Sequence, residues 1–297
     1  MFRLPVDNED GKYKWVLEVD MGGGSIAGGS GGEYFVGEFD GTTFVADDPE
    51  KKSQWVDFGR DFYAPVSFSD IPAEDGRRIW IGWMNNWETS LLPTSRWRSA
   101  MSVPRTLTLR KKSKGYVLVQ KPVRELETLR RRKAFELPEF KLNGSRNISV
   151  TGKNYEFNTF ELLVDANVKD CDEFAVWVCG ANSKAADTDA EKMEKTIIRY
   201  HAKSKTLSVD RRNSGRVDFH PKFPGVHSAP LELQDGKLKL RILVDTSSVE
   251  VFGQDGEVVV TDRIFPSPAN RSTGVMTKGG EAEVESLKVY SLRSIWR

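Results

Sequence analysis

Cysteine and histidine are both scarce in this sequence. Its 297 residues include two cysteines and three histidines, too few cysteines for a disulfide framework. Cys171 and Cys179 lie at the two ends of one predicted strand, about 26 Å apart, so we expect both thiols to be free. His201, His220 and His227 are scattered without the spacing of zinc ligands, so a structural or exposed role is expected for them. No motif in the sequence implies another metal or a cofactor.

A long apolar run and a strong net charge are also missing. No stretch approaches the ~18 apolar residues of a membrane span, and the first residues, MFRLPVDNED, lack the apolar core of a signal peptide. With 44 Lys+Arg against 43 Asp+Glu, no overall field favours nucleic acid or a membrane as partner. The Asn-x-Ser sequons at Asn143, Asn147 and Asn270 permit glycosylation without demonstrating it.

Short strands with alternating polarity dominate the chain. Residues 237–245, KLKLRILVD, place apolar side chains on one face of a half-buried strand, and Asp-Gly turns at 40–41 and 255–256 predict hairpins. Only residues 123–131 have helical spacing, and the polar stretch 191–196 predicts a solvated excursion between strands. Many short strands with almost no helix predict an all-β sandwich, barrel or propeller.

The glycine-rich stretch 22–32 is the most unusual loop. It has seven glycines in eleven positions but lacks the Gly-Lys-Ser/Thr of a phosphate-binding loop and runs into a strand. It is therefore predicted to be a flexible connection between strands. No G-x-S-x-G motif occurs, so serine-type hydrolysis has no support.

Residues 79–105 concentrate aromatic and amide side chains. Four of the eight tryptophans lie there, with Asn85 and Asn86 in the middle. Aromatic rings cover the C–H faces of sugars, and amides bond the hydroxyls. At least two of Trp80, Trp83 and Trp97 are expected in the core. Trp87 lies where the strand ends, and it is the best candidate for an exposed stacking platform.

Asp57 and Asp61 flank an aromatic, glycine-containing stretch, DFGRDFYA. Asp61 either faces a ligand, or it has a structural role in which it pairs with Arg60 or a neighbouring arginine or caps a turn.

Several stretches together, in order, resemble glycoside hydrolase family 32, the β-fructosidases. They are YFVGEFDG, VDFGRDFYA, IGWMNNW, RWRSAMSVPR, QKPVRELETLR, VDRRNSGRVDFHPKF and LRILVDTSSVEVFGQDG. The resemblance covers essentially the whole chain and implies an all-β fold, a five-bladed β-propeller followed by a β-sandwich. A change of character near residues 111–135 then divides the chain into late propeller blades at 1–120, a connector at 121–135 and the sandwich at 136–297.

The same family places its catalytic carboxyl groups in three motifs. Its members are retaining enzymes, which need two carboxyl groups about 5–5.5 Å apart, and the motifs are W-M-N-D-P-N-G, R-D-P and E-C. None occurs here, and the one Asp-Pro, Asp48-Pro49, comes after Asp47 instead of arginine. The first residues, MFRLPVD, resemble the family segment directly after the E-C motif. We therefore expect no catalytic residue in this chain, and we expect the missing N-terminal blades as a partner.

The resemblance also implies which residues would hold the sugar. Trp83 or Trp87 with Asn86 would wall a fructosyl site for sucrose, inulin or levan, in a protein that is secreted at full length. Asp61, Phe62, Tyr63 and Asp40 would line or buttress it. The alternative is a non-catalytic fructan-binding protein or a remnant.

Overall fold

The computed structural model describes residues 1–48, 50, 54–95, 97–131, 135–148, 159–181 and 193–295. Across these ranges the chain is all-β, as predicted, with twenty strands in three sheets and three short 3-10 helices. Helical structure predicted at 123–131 is one of these 3-10 helices, Arg124–Leu129. No helix in the described ranges is long and apolar enough to cross a membrane.

The first sheet is antiparallel and formed by residues 2–55. Its order is β1-β2-β3-β4, and β5 pairs with β3. The Asp-Gly turn predicted at 40–41 joins β3 to β4, which confirms that hairpin. The strands are β1 (Phe2–Pro5), β2 (Tyr13–Met21), β3 (Gly31–Phe39), β4 (Phe44–Ala46) and β5 (Gln54–Trp55).

The second sheet has four antiparallel strands in sequence order. They are β6 (Tyr63–Ser67), β7 (Arg78–Trp83), β8 (Arg105–Lys112) and β9 (Gly115–Pro122). A 3-10 helix, Trp87–Thr89, comes after β7. The first two sheets share one apolar core, to which Val16 and Tyr34 contribute from one side and Trp80 and Leu107 from the other.

The third sheet contains eleven strands, of which β20 is the longest. The long strand pairs with β10, β11, β12 and β13, and it contains Gly279 and Gly280, which both have positive φ. His227 of β16 bonds Asp262 of β19, so the two ends of the strand order meet and the sheet is nearly closed. The strands are β10 (Phe135–Leu137), β11 (Phe140–Asn147), β12 (Phe160–Asn167), β13 (Glu173–Gly180), β14 (Lys195–His201), β15 (Thr206–Asn213), β16 (Val226–Pro230), β17 (Lys237–Asp245), β18 (Ser248–Gly253), β19 (Val258–Arg263) and β20 (Ser272–Ser291), with a 3-10 helix at Gln254–Gly256 between β18 and β19.

In and around the third sheet, two predictions are confirmed and one is partly wrong. Both cysteines are free and buried, which confirms the prediction of unpaired thiols. The prediction of a solvated excursion at 191–196 is wrong for its last two residues. Lys195 and Thr196 begin β14, and Thr196 is buried. Residues 191–192 lie outside the described ranges. Asp255–Gly256 joins β18 to β19, as the second Asp-Gly turn predicts.

Buried charges join the second sheet to the third. Arg105 of β8 is fully buried and donates to Asp57 at 3.0 Å and to Glu250 of β18 at 2.8 Å. Gly59 lies so close to the backbone of Thr261 that a Cβ atom there would overlap it. The contact between the sheets is therefore close-packed and polar.

Candidate functional site

Three aromatic side chains form a row at one end of the second sheet. Tyr63 begins β6 and pairs in register with Trp83 at the end of β7, and their ring centroids lie 6.3 Å apart. Trp87, in the adjoining 3-10 helix, lies 4.9 Å from Trp83. Its side chain is 61% exposed, which confirms the prediction that Trp87 is solvent-facing. Such a row offers ring faces to the C–H groups of a sugar.

Of Trp80, Trp83 and Trp97, at least two were expected in the core, but only Trp80 is buried there. Trp80 is 1% exposed and lies in the core, as expected. Trp83 is only partly buried, because it ends its strand. Trp97 is 48% exposed, so the expectation of core packing is wrong for it. It lies in a loop beyond the strand and contacts the guanidinium of Arg263 instead.

Asn86 is buried and fully hydrogen-bonded, which corrects its predicted role as a wall of the sugar site. Its amide nitrogen donates to the carbonyls of Gly28 at 3.1 Å, Ser30 at 3.2 Å and Arg60 at 2.9 Å. Its Oδ1 accepts from the backbone N–H of Glu88 at 3.0 Å and caps the 3-10 helix. Because both ends of its side-chain amide are bonded to protein groups, Asn86 supports the start of the helix that carries Trp87.

The glycine-rich loop packs against this asparagine. It joins β2 to β3, as the sequence predicts. At Gly29, where φ is +69°, a Cβ atom would overlap the Asn86 side chain, so glycine is needed for the close approach. Ser30 Oγ in turn accepts from the Trp87 backbone N–H at 3.2 Å. The loop is thus a support for the aromatic row.

Asp61 and Phe62 lie beneath the row and not on it. Asp61 is fully buried, where it pairs with Arg211 and accepts from the Arg263 backbone N–H at 2.8 Å. Phe62 is 2% exposed and lies under the guanidinium of Arg105, 4.1 Å from its ring centroid. The structure shows an ion pair for Asp61, but the partner is the distant Arg211 and not Arg60 or a neighbouring arginine. Both side chains are buried, so their position favours the predicted buttressing role over direct contact with a ligand.

Asp40 follows β3 directly, at the opposite end of that strand from the glycine-rich loop. Its carboxylate accepts from the backbone N–H groups of Thr42 at 2.8 Å and Thr43 at 2.7 Å, and so caps the β3–β4 turn. At about 3.3 Å per residue, the length of β3 separates it from Gly31 by roughly 30 Å. The role of Asp40 in lining or buttressing the sugar site stays a prediction.

A carboxylate pair near Tyr63 was missed by the sequence reasoning. Glu18 and Asp20 share one face near the end of β2, and Asp20 accepts from the Ala64 backbone N–H at 3.1 Å. Burial and the charge of Asp20 raise the pKa of Glu18 to about 8. The period of two along β2 places both carboxyls on one side and was the available signal. Glu18 is therefore an acid that can still donate a proton at neutral pH.

Within the described ranges, no three His, Cys, Asp or Glu side chains come together as a metal-binding group.

Comparison with protein families gives two matches that together span nearly the whole chain. Residues 1–122 match the glycosyl hydrolases family 32 N-terminal domain, and residues 125–291 match the glycosyl hydrolases family 32 C-terminal domain.

Curated relatives are similar along the full chain. A levanase from Bacillus subtilis is 41% identical over 100% of this chain and 42% of its own length. An extracellular exo-inulinase from Aspergillus awamori is 34% identical over 100% of this chain and 54% of its own length. The chain thus spans about half, or less, of the length of these relatives.

Solved structures show the same fold. The exo-inulinase from Aspergillus awamori superposes with a TM-score of 0.85 at 33% identity, covering 99% of this chain and 56% of that one. A β-fructofuranosidase from Schwanniomyces occidentalis, complexed with fructosyl-erythritol, gives a TM-score of 0.81 at 26% identity. That match covers 99% of this chain and 59% of the other.

Proposed function

Since this chain belongs to glycosyl hydrolase family 32, we propose that it is part of a glycosidase that cleaves β-fructosides such as sucrose, inulin or levan. Its similarity to a levanase and an exo-inulinase supports this substrate class. The fructosyl ligand in the Schwanniomyces occidentalis structure supports a fructose-containing sugar as the bound group. Secretion is proposed on the same basis, because the Aspergillus relatives are named extracellular.

The proposed architecture is two late propeller blades followed by a β-sandwich. The first two sheets would be the blades at 1–120, residues 121–135 the connector, and the eleven-stranded sheet the sandwich at 136–297. One face of the first sheet carries Trp15, Leu17, Val19 and Phe35, which stay partly exposed. An apolar sheet face of this kind is suited to packing against another blade.

Further blades would also supply the chemistry. The three catalytic motifs of the family are absent from residues 1–297, and hydrolysis with retention needs two carboxyl groups about 5–5.5 Å apart. We therefore assign the nucleophile, the stabilising aspartate and the acid/base glutamate to a segment outside these residues. This chain would hold the sugar while that segment reacts with it.

The observation that carries the proposal is the aromatic row with its exposed end. Tyr63, Trp83 and Trp87 present adjacent rings beside a glycine-rich loop, and Trp87 has no core role that would explain its position. A sugar ring stacked on an aromatic face removes apolar surface from water on both sides. The proposal assigns sugar contact to Trp83, Trp87 and Tyr63, and support to Asn86, Asp61 and Phe62.

A calorimetric titration of the chain with inulin and levan oligosaccharides tests this assignment. We expect binding at millimolar sugar and, for Trp87→Ala, affinity that is about tenfold weaker, since an aromatic contact contributes about 1.5 kcal/mol. Trp15→Ala is the matched control, because Trp15 lies on the outer face of the first sheet. Equal affinity for the wild type and Trp87→Ala would remove Trp87 from the site.

The second candidate is a non-catalytic fructan-binding protein, and the absence of the three motifs favours it. A chimera distinguishes part of a glycosidase from a fructan-binding protein. In this chimera, the motif-bearing segment of a family relative is joined ahead of residue 1. Fructose release by the chimera, lost in its Trp87→Ala variant, supports a contribution to catalysis. A folded chimera that binds fructan without releasing fructose supports the binding protein.

A further inference from the structure

A loop of the third sheet reaches the aromatic row. The loop joins β15 to β16, and its Lys222 Nζ bonds Oε1 of Glu88, the residue next to Trp87. The other carboxylate oxygen of Glu88 accepts from Arg60. Glu88 therefore lies between a cation from the first half of the chain and a cation that is 134 residues away in sequence.

The backbone of this loop is firmly anchored. Phe223 is fully buried beneath the guanidinium of Arg211, which lies 3.9 Å from its ring centroid, and its carbonyl accepts from Arg211 Nε at 2.8 Å. Phe219 packs on Phe223 with ring centroids 4.4 Å apart. The backbone N–H of Lys222 donates to His220 Nδ1 at 3.2 Å. Lys222 is thus presented to Glu88 from a fixed support.

The partner on the other side of Glu88 is equally fixed. Arg60 is buried, and its Nη1 donates to the carbonyl of Ala27 in the glycine-rich loop at 2.8 Å. Glu88 lies in the 3-10 helix Trp87–Thr89, one turn long, whose start is capped by Asn86. A helix this short has few bonds of its own, so its orientation depends on side chains that bond it from outside.

We propose that Lys222 is a positioning residue for sugar binding: by bonding Glu88 it sets the orientation of the helix Trp87–Thr89 and of the ring face that Trp87 presents. The sugar-binding part of this inference rests on the proposed function. The third sheet then contributes to the site although none of its described residues belongs to the aromatic row. A partly exposed ion pair adds little to global stability, so the effect should be local.

Fluorine NMR tests the positioning without any sugar. The chain is labelled with 5-fluorotryptophan, and the Trp87 resonance is assigned by its loss in Trp87→Phe. We expect Lys222→Met to shift or broaden that resonance and Lys222→Arg to restore it. Lys205→Met is the matched control, because Lys205 is similarly exposed but pairs with Glu232 and not with a residue of the helix Trp87–Thr89. An unchanged Trp87 resonance in Lys222→Met would overturn the positioning role.

Sugar titration tests the consequence for binding. We expect Lys222→Met to weaken affinity for a fructan oligosaccharide about threefold, within the range of a partly exposed ion pair, and Lys222→Arg to recover it. The urea midpoint of unfolding should not change. Wild-type affinity in Lys222→Met would overturn the link to binding. A wild-type chain that binds no sugar would contradict the proposed function, and the NMR comparison would still decide the positioning role.

Discussion

Removing Arg105 perturbs the contact between the second and third sheets directly. Its guanidinium is fully buried and bonds Asp57, Glu250, Gln120 and Thr261, at 2.7 to 3.1 Å. Arg105→Met keeps most of the side-chain volume but leaves two buried carboxyl groups without their cation. Breaking a buried ion pair by removing one partner costs about 3–5 kcal/mol. We expect a loss of that size in the free energy of unfolding.

The loss should depend on pH in a defined direction. Burial raises the pKa of Asp57 and of Glu250, and the charge of Arg105 opposes that rise. Without Arg105 both pKa values rise further, so the folded state binds protons that the unfolded state releases. Stability of the variant therefore falls as pH increases. The destabilisation relative to the wild type should be larger at pH 8 than at pH 5.

Urea unfolding followed by tryptophan fluorescence at both pH values measures this. Arg124→Met is the matched control, since Arg124 is 76% exposed and its nearest carboxylates lie 3.7 and 3.9 Å away; it should change stability by less than about 1 kcal/mol. Adding Asp57→Asn and Glu250→Gln to Arg105→Met should recover part of the loss. A loss below about 1 kcal/mol, or an equal loss at both pH values, would show that Arg105 does not compensate the buried charges of Asp57 and Glu250.

Two further predictions concern the support of the aromatic row. Because the pKa of Glu18 is raised from 4.5 to about 8, the folded state holds a proton that the unfolded state releases in that window, and stability falls as pH rises through it. Glu18→Gln should flatten this slope and raise the free energy of unfolding at pH 8 by about 1–2 kcal/mol after allowance for solvent screening; a slope identical to that of the wild type would contradict it. Asn86→Ala leaves the carbonyls that it bonds without a donor, which should cost about 2–3 kcal/mol in urea unfolding and weaken sugar binding as much as Trp87→Ala does. A stable Asn86→Ala variant with wild-type affinity would show that Trp87 needs no such support.

Many strands and turns could be predicted from the sequence, because the alternation of polar and apolar residues in a strand is a local pattern. Alternation along β17 and the Asp-Gly turns at 40–41 and 255–256 predicted elements that the structure confirms. Trp87 was predicted to be exposed because it lies just beyond the end of a strand, and that position does not depend on distant residues.

Long-range polar partners were not predictable from the residues alone. Asp61 pairs with an arginine 150 residues away, and Asn86 bonds carbonyls of a loop 56 to 58 residues away. The residues near Asp61 and Asn86 in sequence do not show whether the side chain forms a buried structural bond or faces a ligand. Lys222 was missed for the same reason, since its partner Glu88 lies in the other half of the chain.

The division of roles between this chain and a catalytic segment can be tested by measuring fructose release by the purified 297-residue chain. The claim is that this chain holds a fructan through its aromatic row and carries none of the catalytic carboxyl groups. The assay uses sucrose, inulin and levan at concentrations where titration detects binding. We predict no fructose above the buffer blank. Fructose release that stays with the chain through purification and is lost in Trp87→Ala would contradict the claim, because the catalytic groups would then lie within these residues.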